Sequence, residues 1–335
     1  MVNSQEYFIN LALEKAWAYQ GLTYPNPPVG AVITDNQNNF ISYGVHKKAG
    51  TPHAEVNAIK QAFYNITKDE EILKLESSNE IHDYLHAKHK GIFEDKNIYV
   101  TLEPCNHFGK TPPCSQLIAK LGFNRIVIGA LDTNRKASGG FEYLKKNGLH
   151  VEVLDQYTCK ELLEPFSTWQ KEPFVFFKLA MSNNGVIDGG VITCKKSHEL
   201  VHKLRDRCDL LVIGGNTVRI DRPILDARLC DGKAPDILIY SKSKEFDKDI
   251  PLFNMPNRKV FIAANFDKVK EYKFVMIEGG EGMLKATKSL TKHYLIFRSP
   301  NFKEGNSPQF SHKLKELYSS IVGEDRLTWF KQLDG

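Results

Sequence analysis

The stretch "HAEVNAIK" puts an imidazole, His53, and a carboxylate, Glu55, two positions apart at the start of an apolar-periodic run. Two readings fit this fragment. In one it is a helix N-terminus, with Glu55 favoured by the positive end of the dipole and His53 an ordinary surface side chain. In the other His53 is a metal ligand and Glu55 a proton shuttle. A second stretch, "TLEPCNHFGKTPPC", bears on the choice by supplying Cys105 and Cys114. One nitrogen and two sulfurs leave a fourth position open, the arrangement of a catalytic zinc. Cys114 opens a helix, where the dipole lowers a thiol's pKa, and Cys105 follows Pro104 at a strand-to-helix turn. Two thiolates with an imidazole favour zinc over iron.

A water on zinc has a pKa of about 7. A neighbouring carboxylate can take its proton and deliver it to a leaving amine. That is the chemistry of nucleobase deamination, whose signature is H-x-E followed by P-C-x-x-C, with the glutamate as acid/base and not as ligand. His-Ala-Glu and Pro-Cys both match, but Cys114 lies nine residues after Cys105 where the signature has three. A closed structural site with His107 as fourth ligand is the alternative, and it leaves Glu55 without a role. His82, His86 and His89 fall together in a charged stretch and read as solvated helix residues, not as a metal cluster.

The elements that must position these groups alternate. The segment "MVNSQEYFINLALEKAWAYQ" reads as an amphipathic helix without the basic n-region of a signal peptide. The prolines of "TYPNPPVGAVITD" fix a loop before a buried strand, and "NFISYGVHKKAG" is its hairpin partner. A helix from "HAEVNAIKQAF", a strand in "NIYVTLEPC", a helix in "PPCSQLIAKLG" and a strand in "RIVIGALD" follow, then helix, turn and strand in "GGFEYLKKNGLHVEVL". This is an α/β sheet covered by helices. Residues 65–96 are a charged insertion, expected as a helical hairpin on the surface. "LLEPFSTWQKEP" reads as a linker between domains at 1–160 and 172–335. Beyond it, "FVFFKLAM", "DLLVIGG", "DILIYS", "KVFIAA", "KFVMIEGG" and "HYLIFRS" are strands, with helices in "SHELVHKLRDRC" and "GMLKATKSL". No repeat of fixed period is visible.

Bulk properties agree. A chain of 335 residues exceeds one ordinary core, and 41% hydrophobic with 25% charged residues is a globular profile. A net charge of +5, spread along the chain, argues against nucleic acid, and no apolar stretch is long enough for a membrane. Six cysteines in this length are no disulfide framework, so a reducing cytoplasm fits.

"PNPPVG", "HAE" and "TLEPCNHFGKTPPC" together resemble the bifunctional riboflavin-biosynthesis deaminase/reductase family over nearly the whole chain. The long step between cysteines separates that family from the tRNA adenosine and cytosine deaminases. The resemblance implies a cytidine-deaminase-like α/β/α domain and then a dihydrofolate-reductase-like α/β domain that uses NADPH. It implies His53, Cys105 and Cys114 as zinc ligands, with Glu55 as acid/base. The substrate is a phosphoribosylated diaminopyrimidinone. Asn26 would hold its ribosyl or pyrimidine part, and His107, Lys110 and Thr111 would be hydrogen-bond donors, the cation and hydroxyl suiting its phosphate, although Lys110 reads equally as a surface lysine. Asp132 and Asn134, in "ALDTNRKASGG", are further substrate contacts or else turn residues. In the second half Ala180, Thr217, Asp221, Ser241 and the turn Gly279, Gly280, Glu281, Gly282, Met283 and Leu284 would touch NADPH, the glycines cradling its pyrophosphate. Arg205, Leu225, Arg228 and Glu278 would touch the phosphoribosyl substrate.

There are departures. Asn184 stands where the family has aspartate, a tryptophan-bearing segment is reduced to "GGVIT", and the chain's end looks short. Hydride transfer depends on positioning more than on a protein acid, so these changes need not abolish reduction. The expected partner is a small phosphorylated pyrimidine, with a homo-oligomer possible. The competing readings are a deaminase with a non-catalytic C-terminal domain, and a nucleic-acid deaminase or structural zinc protein.

Overall fold

The computed structural model describes residues 4–109, 111–134 and 137–333. The chain divides into two compact units, Met1–Ser167 and Thr168–Gly335. The division falls inside a helix, α7 (Tyr157–Trp169), where a linker is expected from the sequence. Cys159, Leu162, Leu163 and Phe166 are buried along that helix. Their i, i+3, i+4, i+7 spacing is an apolar face that Pro165 and the nearby charges obscure.

The first unit is built on strands β1 (Gly30–Asp35), β2 (Phe40–Val45), β3 (Lys96–Val100), β4 (Arg125–Ile128) and β5 (Val151–Val153), in the order β2-β1-β3-β4-β5. β1 runs antiparallel to both its neighbours, and β3, β4 and β5 are parallel. The helices are α1 (Ser4–Trp17), α2 (Ala54–Thr67), α3 (Glu71–Lys74), α4 (Ser78–Lys88), α5 (Cys114–Leu121) and α6 (Gly140–Lys146). Two glycines let helices lie close on the sheet. A Cβ at Gly30 would stand 2.1 Å from the Ala12 carbonyl oxygen of α1, and one at Gly44 would stand 2.2 Å from the Ala58 nitrogen of α2.

The insertion departs from a solvated surface hairpin. It holds the short α3 and then α4, which a reciprocal Ser77–Glu80 capping box starts. Ile72, Ile81, Leu85 and Phe93 are buried, and so is His82 at 4% exposure. On α4 the apolar positions are sparse, but Ile81 and Leu85 lie one turn apart on one face and are buried with His82.

The second unit is an eight-stranded sheet in the order β12-β13-β11-β6-β10-β7-β8-β9. Its strands are β6 (Phe174–Met181), β7 (Leu210–Gly214), β8 (Asp236–Tyr240), β9 (Val260–Ala263), β10 (Phe274–Glu278), β11 (His293–Arg298), β12 (Leu314–Val322) and β13 (Asp325–Gln332). The run from β11 through β9 is parallel, and β13 and β12 add on antiparallel. Continuous apolar runs such as "FVFF" and "LLVI" suit strands covered on both faces. The helices are α8 (Lys195–Arg207), α9 (Gly215–Asp221) and α10 (Glu281–Ala286). α9 and the β12–β13 hairpin are not foreseen in the sequence reading. The hairpin is tied to α8, because Asp325, 1% exposed, accepts hydrogen bonds from the Cys194 N–H (2.7 Å) and the Ser197 hydroxyl (2.6 Å).

Candidate functional site

In the first unit the two readings of "HAE" coexist. His53 is the N-cap of α2, but its side chain makes no capping bond and turns elsewhere. Its Nδ1 lies 3.5 Å from both Cys105 Sγ and Cys114 Sγ. The three ligand atoms lie within 4.8 Å of one another, and they are the one such group of three or more among the described residues. The turn after β3 delivers Cys105, and Cys114 is the first residue of α5, its N–H donating to Cys105 Sγ at 3.5 Å. This donor set fits zinc.

The thiols share a charge unevenly. The hydrogen bond from Cys114 lowers the Cys105 thiol to about 4, against burial and with help from His53. Cys114 is pushed up, first by its bond to Cys105 and then by burial. His53 is raised despite burial, because the Cys105 sulfur accepts from it and attracts its charge. A divalent ion would stabilise both thiolates.

Glu55 sits in the first turn of α2, 3% exposed. Burial raises its carboxyl to about 7, with the Cys105 charge adding and His53 opposing. A carboxyl that changes charge near neutrality suits a group that must both take and give a proton.

Around this centre the expected substrate residues are placed unevenly. Asn26 is half-buried, and its amide nitrogen lies 3.3 Å from His46 Nε2. His46 is buried, stacks edge-on to His53 at 5.1 Å, and is lowered to about 4, mainly by burial. Its Nδ1 lies 3.3 Å from the Pro52 carbonyl oxygen, so donation there leaves Nε2 to accept from Asn26. Sequence reading misses His46; in "YGVHKKAG" nothing marks it. Thr111 Oγ1 lies 3.5 Å from His53 Nε2, so its hydroxyl faces the ligand histidine. His107 is exposed. Lys110 lies outside the described residues. Asp132 is half-buried and accepts from the Asn134 N–H at 2.8 Å, an Asx-type turn. Burial raises the Asp132 carboxyl, with Glu103 and Cys105 adding repulsion. It lines a cavity of about 400 Å³ with Leu102, Leu131, Thr133, Lys160 and Phe166. His82, His86 and His89 lie outside the metal group.

In the second unit the expected substrate residues meet around Glu278, at the carboxyl end of β10. Arg205 grips Glu278 with two bonds of 3.0 Å, and Lys178 Nζ lies 3.7 Å from the same carboxylate. Burial raises Glu278, but Arg205 and Lys178 outweigh it and hold the carboxyl below its usual range. Lys178 is lowered by its own burial. It is a second missed residue, and its signal is a lone lysine inside "FVFFKLAM". Arg228 pairs with Asp226 at 2.7 Å, and Arg205 donates to the Asp226 carbonyl at 3.5 Å. Leu225, in the left-handed region at φ +57°, is held by Arg258, which donates to its carbonyl and to those of Ile224 (2.7 Å) and Pro235 (2.8 Å).

The expected cofactor residues also gather. A Cβ on Gly214 would stand 3.1 Å from Met283, one on Gly215 would stand 2.7 Å from Ser241, and one on Gly279 would stand 2.6 Å from Met283. The turns after β7 and β10 and the end of β8 therefore adjoin. Thr217 is half-buried on α9, whereas Asp221 is exposed at its end. Ala180 lies on β6 opposite Phe297 of β11. Glu281 begins α10 and accepts from the Gln309 N–H, and Leu284 is buried behind it. A Cβ at Gly282 would meet nothing within 4 Å, so the turn is open there. Close-packed glycines with an open face suit a dinucleotide phosphate. Asn184 does not leave a gap. Its amide bonds the Lys303 backbone reciprocally, at 2.7 and 3.0 Å.

Residues 2–130 match the family described as the cytidine and deoxycytidylate deaminase zinc-binding region, and residues 173–293 match the RibD C-terminal domain. The riboflavin biosynthesis protein RibD of Aquifex aeolicus is 36% identical over 97% of this chain and 98% of its own length. The Synechocystis protein of the same name is 32% identical over 72% of this chain and 61% of its own. A Thermotoga maritima crystal structure of a diaminohydroxyphosphoribosylaminopyrimidine deaminase/5-amino-6-(5-phosphoribosylamino)uracil reductase aligns with TM-score 0.63 and 25% identity, over 98% of this chain and 99% of that one. Acinetobacter baumannii RibD shares the fold at TM-score 0.63 and 22% identity, over 99% of each chain.

Proposed function

The chain belongs to the RibD family of riboflavin biosynthesis proteins, and we propose from that premise which of its residues carry each of the family's two reactions. It is a bifunctional enzyme. One activity hydrolytically deaminates 2,5-diamino-6-(5-phosphoribosylamino)pyrimidin-4(3H)-one, and the other reduces the ribosyl chain of 5-amino-6-(5-phosphoribosylamino)uracil to ribityl with NADPH. The deaminase-only reading is not favoured, because the C-terminal half matches the reductase domain in its own right. We assign deamination to about residues 1–160 and reduction to about 172–335.

The carrying observation is the convergence of His53, Cys105 and Cys114 beside buried Glu55. His53, through Nδ1, and the two cysteines would hold zinc, which when bound acidifies water for attack on the amino-bearing ring carbon. Glu55 takes the proton of the attacking water and returns it to the departing amine, which leaves as ammonia. Asn26, set by His46, presents its amide oxygen to the substrate. Asp132 and Asn134 contact it from their loop, and His107, Lys110 and Thr111 form the phosphate end.

For reduction, NADPH supplies the hydride. The N–H groups of the 279–284 turn, with Thr217, Ser241, Asp221 and Ala180, bind it. Glu278, kept ionised by Arg205 and Lys178, accepts from substrate hydroxyls, and Arg228 and Arg205 face the phosphate with Leu225 beside them.

The partner we assign is this phosphorylated pyrimidine, with neither nucleic acid nor membrane; no described helix is long and apolar enough to cross one. All six cysteines are unpaired, which supports a cytoplasmic location. The nine-residue β12 ends its sheet, which supports a homo-oligomer. The test supplies the diaminopyrimidinone phosphate with and without NADPH. Ammonia release in both arms, with ribityl product only when NADPH is present, is expected. No ammonia from zinc-loaded protein would overturn the deaminase assignment. Ammonia without product-dependent NADPH oxidation would leave the C-terminal unit a binding domain.

A further inference from the structure

Glu103 stands two residues before the ligand Cys105, yet it neither faces the metal group nor reaches solvent, being 6% exposed. A buried carboxylate needs partners. Glu103 finds three, all backbone N–H groups between the loop after β4 and the first turn of α6. Oε2 accepts from Asp132 at 3.0 Å, and Oε1 accepts from Gly139 at 3.0 Å and Phe141 at 2.9 Å. The Glu103 N–H in turn donates to the Ala130 carbonyl at 2.9 Å. One side chain thus closes the loop at its entry and its exit.

The same turn holds the loop at two more points. The Asn106 N–H donates to the Ala137 carbonyl at 3.1 Å, and Asn106 Oδ1 accepts from the Ser115 hydroxyl of α5 at 2.9 Å. A Cβ on Gly140 would stand 1.8 Å from the Pro104 carbonyl oxygen, so the loop's end presses on the residue before Cys105. The backbone that carries Cys105 and the backbone that carries Asp132 and Asn134 therefore form one body, joined by the Glu103 carboxylate.

We propose that Glu103 is a positioning residue for deamination: through three backbone hydrogen bonds it fixes Asp132 and Asn134 relative to the turn that holds Cys105. It touches neither substrate nor metal. The inference rests on the deaminase reading above for its functional consequence, but the tethering is a property of the fold.

The test is Glu103→Gln. An amide oxygen can take over the Oε1 bonds, but the NH2 group then faces the Asp132 N–H, donor against donor. The variant releases the loop entry and keeps its exit. Zinc content and NADPH-dependent reduction of the uracil substrate should match wild type. KM for the diaminopyrimidinone should rise about 10- to 100-fold, on the scale of a lost charge-assisted bond and the loop order it maintains, with a smaller change in kcat. Glu103→Ala should raise KM further. Unchanged KM in both variants, with wild type active, overturns the inference and leaves the deaminase reading standing. An inactive wild type overturns that reading. The tether is then judged by amide hydrogen exchange, which is also decisive where a variant fails to fold. In wild type the Asp132, Gly139 and Phe141 amides should be protected, and in Glu103→Gln the Asp132 amide should exchange at least tenfold faster. Unprotected wild-type amides overturn it.

Discussion

At the residue scale, Glu55 shows how burial gives an ordinary carboxylate the titration that the proposed proton carrier needs. Burial raises it to about 7, so little separates its two protonation states in energy at neutral pH. The ligands beside it have the opposite duty, which is to stay deprotonated. Glu55→Gln preserves shape and polarity but cannot carry a proton. Deamination should fall by roughly 10²- to 10⁴-fold while the protein still binds about one zinc by elemental analysis. Cys105→Ser and Cys114→Ser should lose the metal, because a hydroxyl is a poor substitute for a thiolate. Normal turnover in Glu55→Gln would remove it from the reaction. That His53, Cys105 and Cys114 come together beside Glu55 was legible, because their types and spacing point to one centre. His46 was not, since its role comes from two hydrogen bonds that only the fold brings together.

At the scale of elements, alternation of apolar runs with helical periodicity revealed most strands, because both sheets are well covered. The failures have physical causes. The apolar face of α7 is interrupted by Pro165, and α4 carries few apolar residues among many charges, so each reads as less buried than it is. α4 has a measurable signature. His82 is buried, its Nε2 has no hydrogen-bond partner among the described residues, and burial lowers it to about 4. Its folded pKa lies below the unfolded value of about 6.5, so the unfolded state binds the proton first. Stability is full above about pH 6.5 and is lost as pH falls toward 4. His82→Leu should flatten that window in denaturant titrations at pH 5 and pH 7.5; an unchanged pH slope would mean that His82 is protonated in the native state. The β12–β13 hairpin is hidden in the sequence as well, as "LKELYSSIV" carries no strict alternation. Its worth lies in Asp325, which supplies the N-terminus of α8 with a cap from outside the helix. Asp325→Ala should cost about 1–3 kcal/mol, by analogy with a lost cap and a buried donor left unsatisfied. Thermal unfolding of the second unit checks this, and no change would mean the hairpin does not hold α8.

At the scale of the molecule, two sheets with separate cores carry two chemistries, so damage to one site should spare the other reaction. Arg205 and Arg228 both occur in the stretch that marks the reductase half, but the structure separates what they do. Arg205 is largely covered, its side chain 13% exposed, in a bidentate pair with Glu278, and its removal leaves that carboxylate with Lys178. Breaking a buried pair costs stability, about 3–5 kcal/mol, so Arg205→Ala confounds folding with binding. Arg228 is exposed, and its pair with Asp226 is half open to solvent. It can turn to a substrate phosphate at little structural cost. Arg228→Ala should therefore raise the reductase KM about 10- to 100-fold, for a charge-assisted contact of roughly 1.5–3 kcal/mol. The melting temperature should fall less than in Arg205→Ala, since Arg228 is itself exposed although its partner Asp226 is buried. Ammonia release from the diaminopyrimidinone should be unchanged, and added salt should narrow the gap between variant and wild type as the phosphate attraction is screened. A KM equal to wild type would move the phosphate site away from Arg228 and toward the Arg205 side of the cluster. An equal loss of deamination would mean that the two units do not work independently.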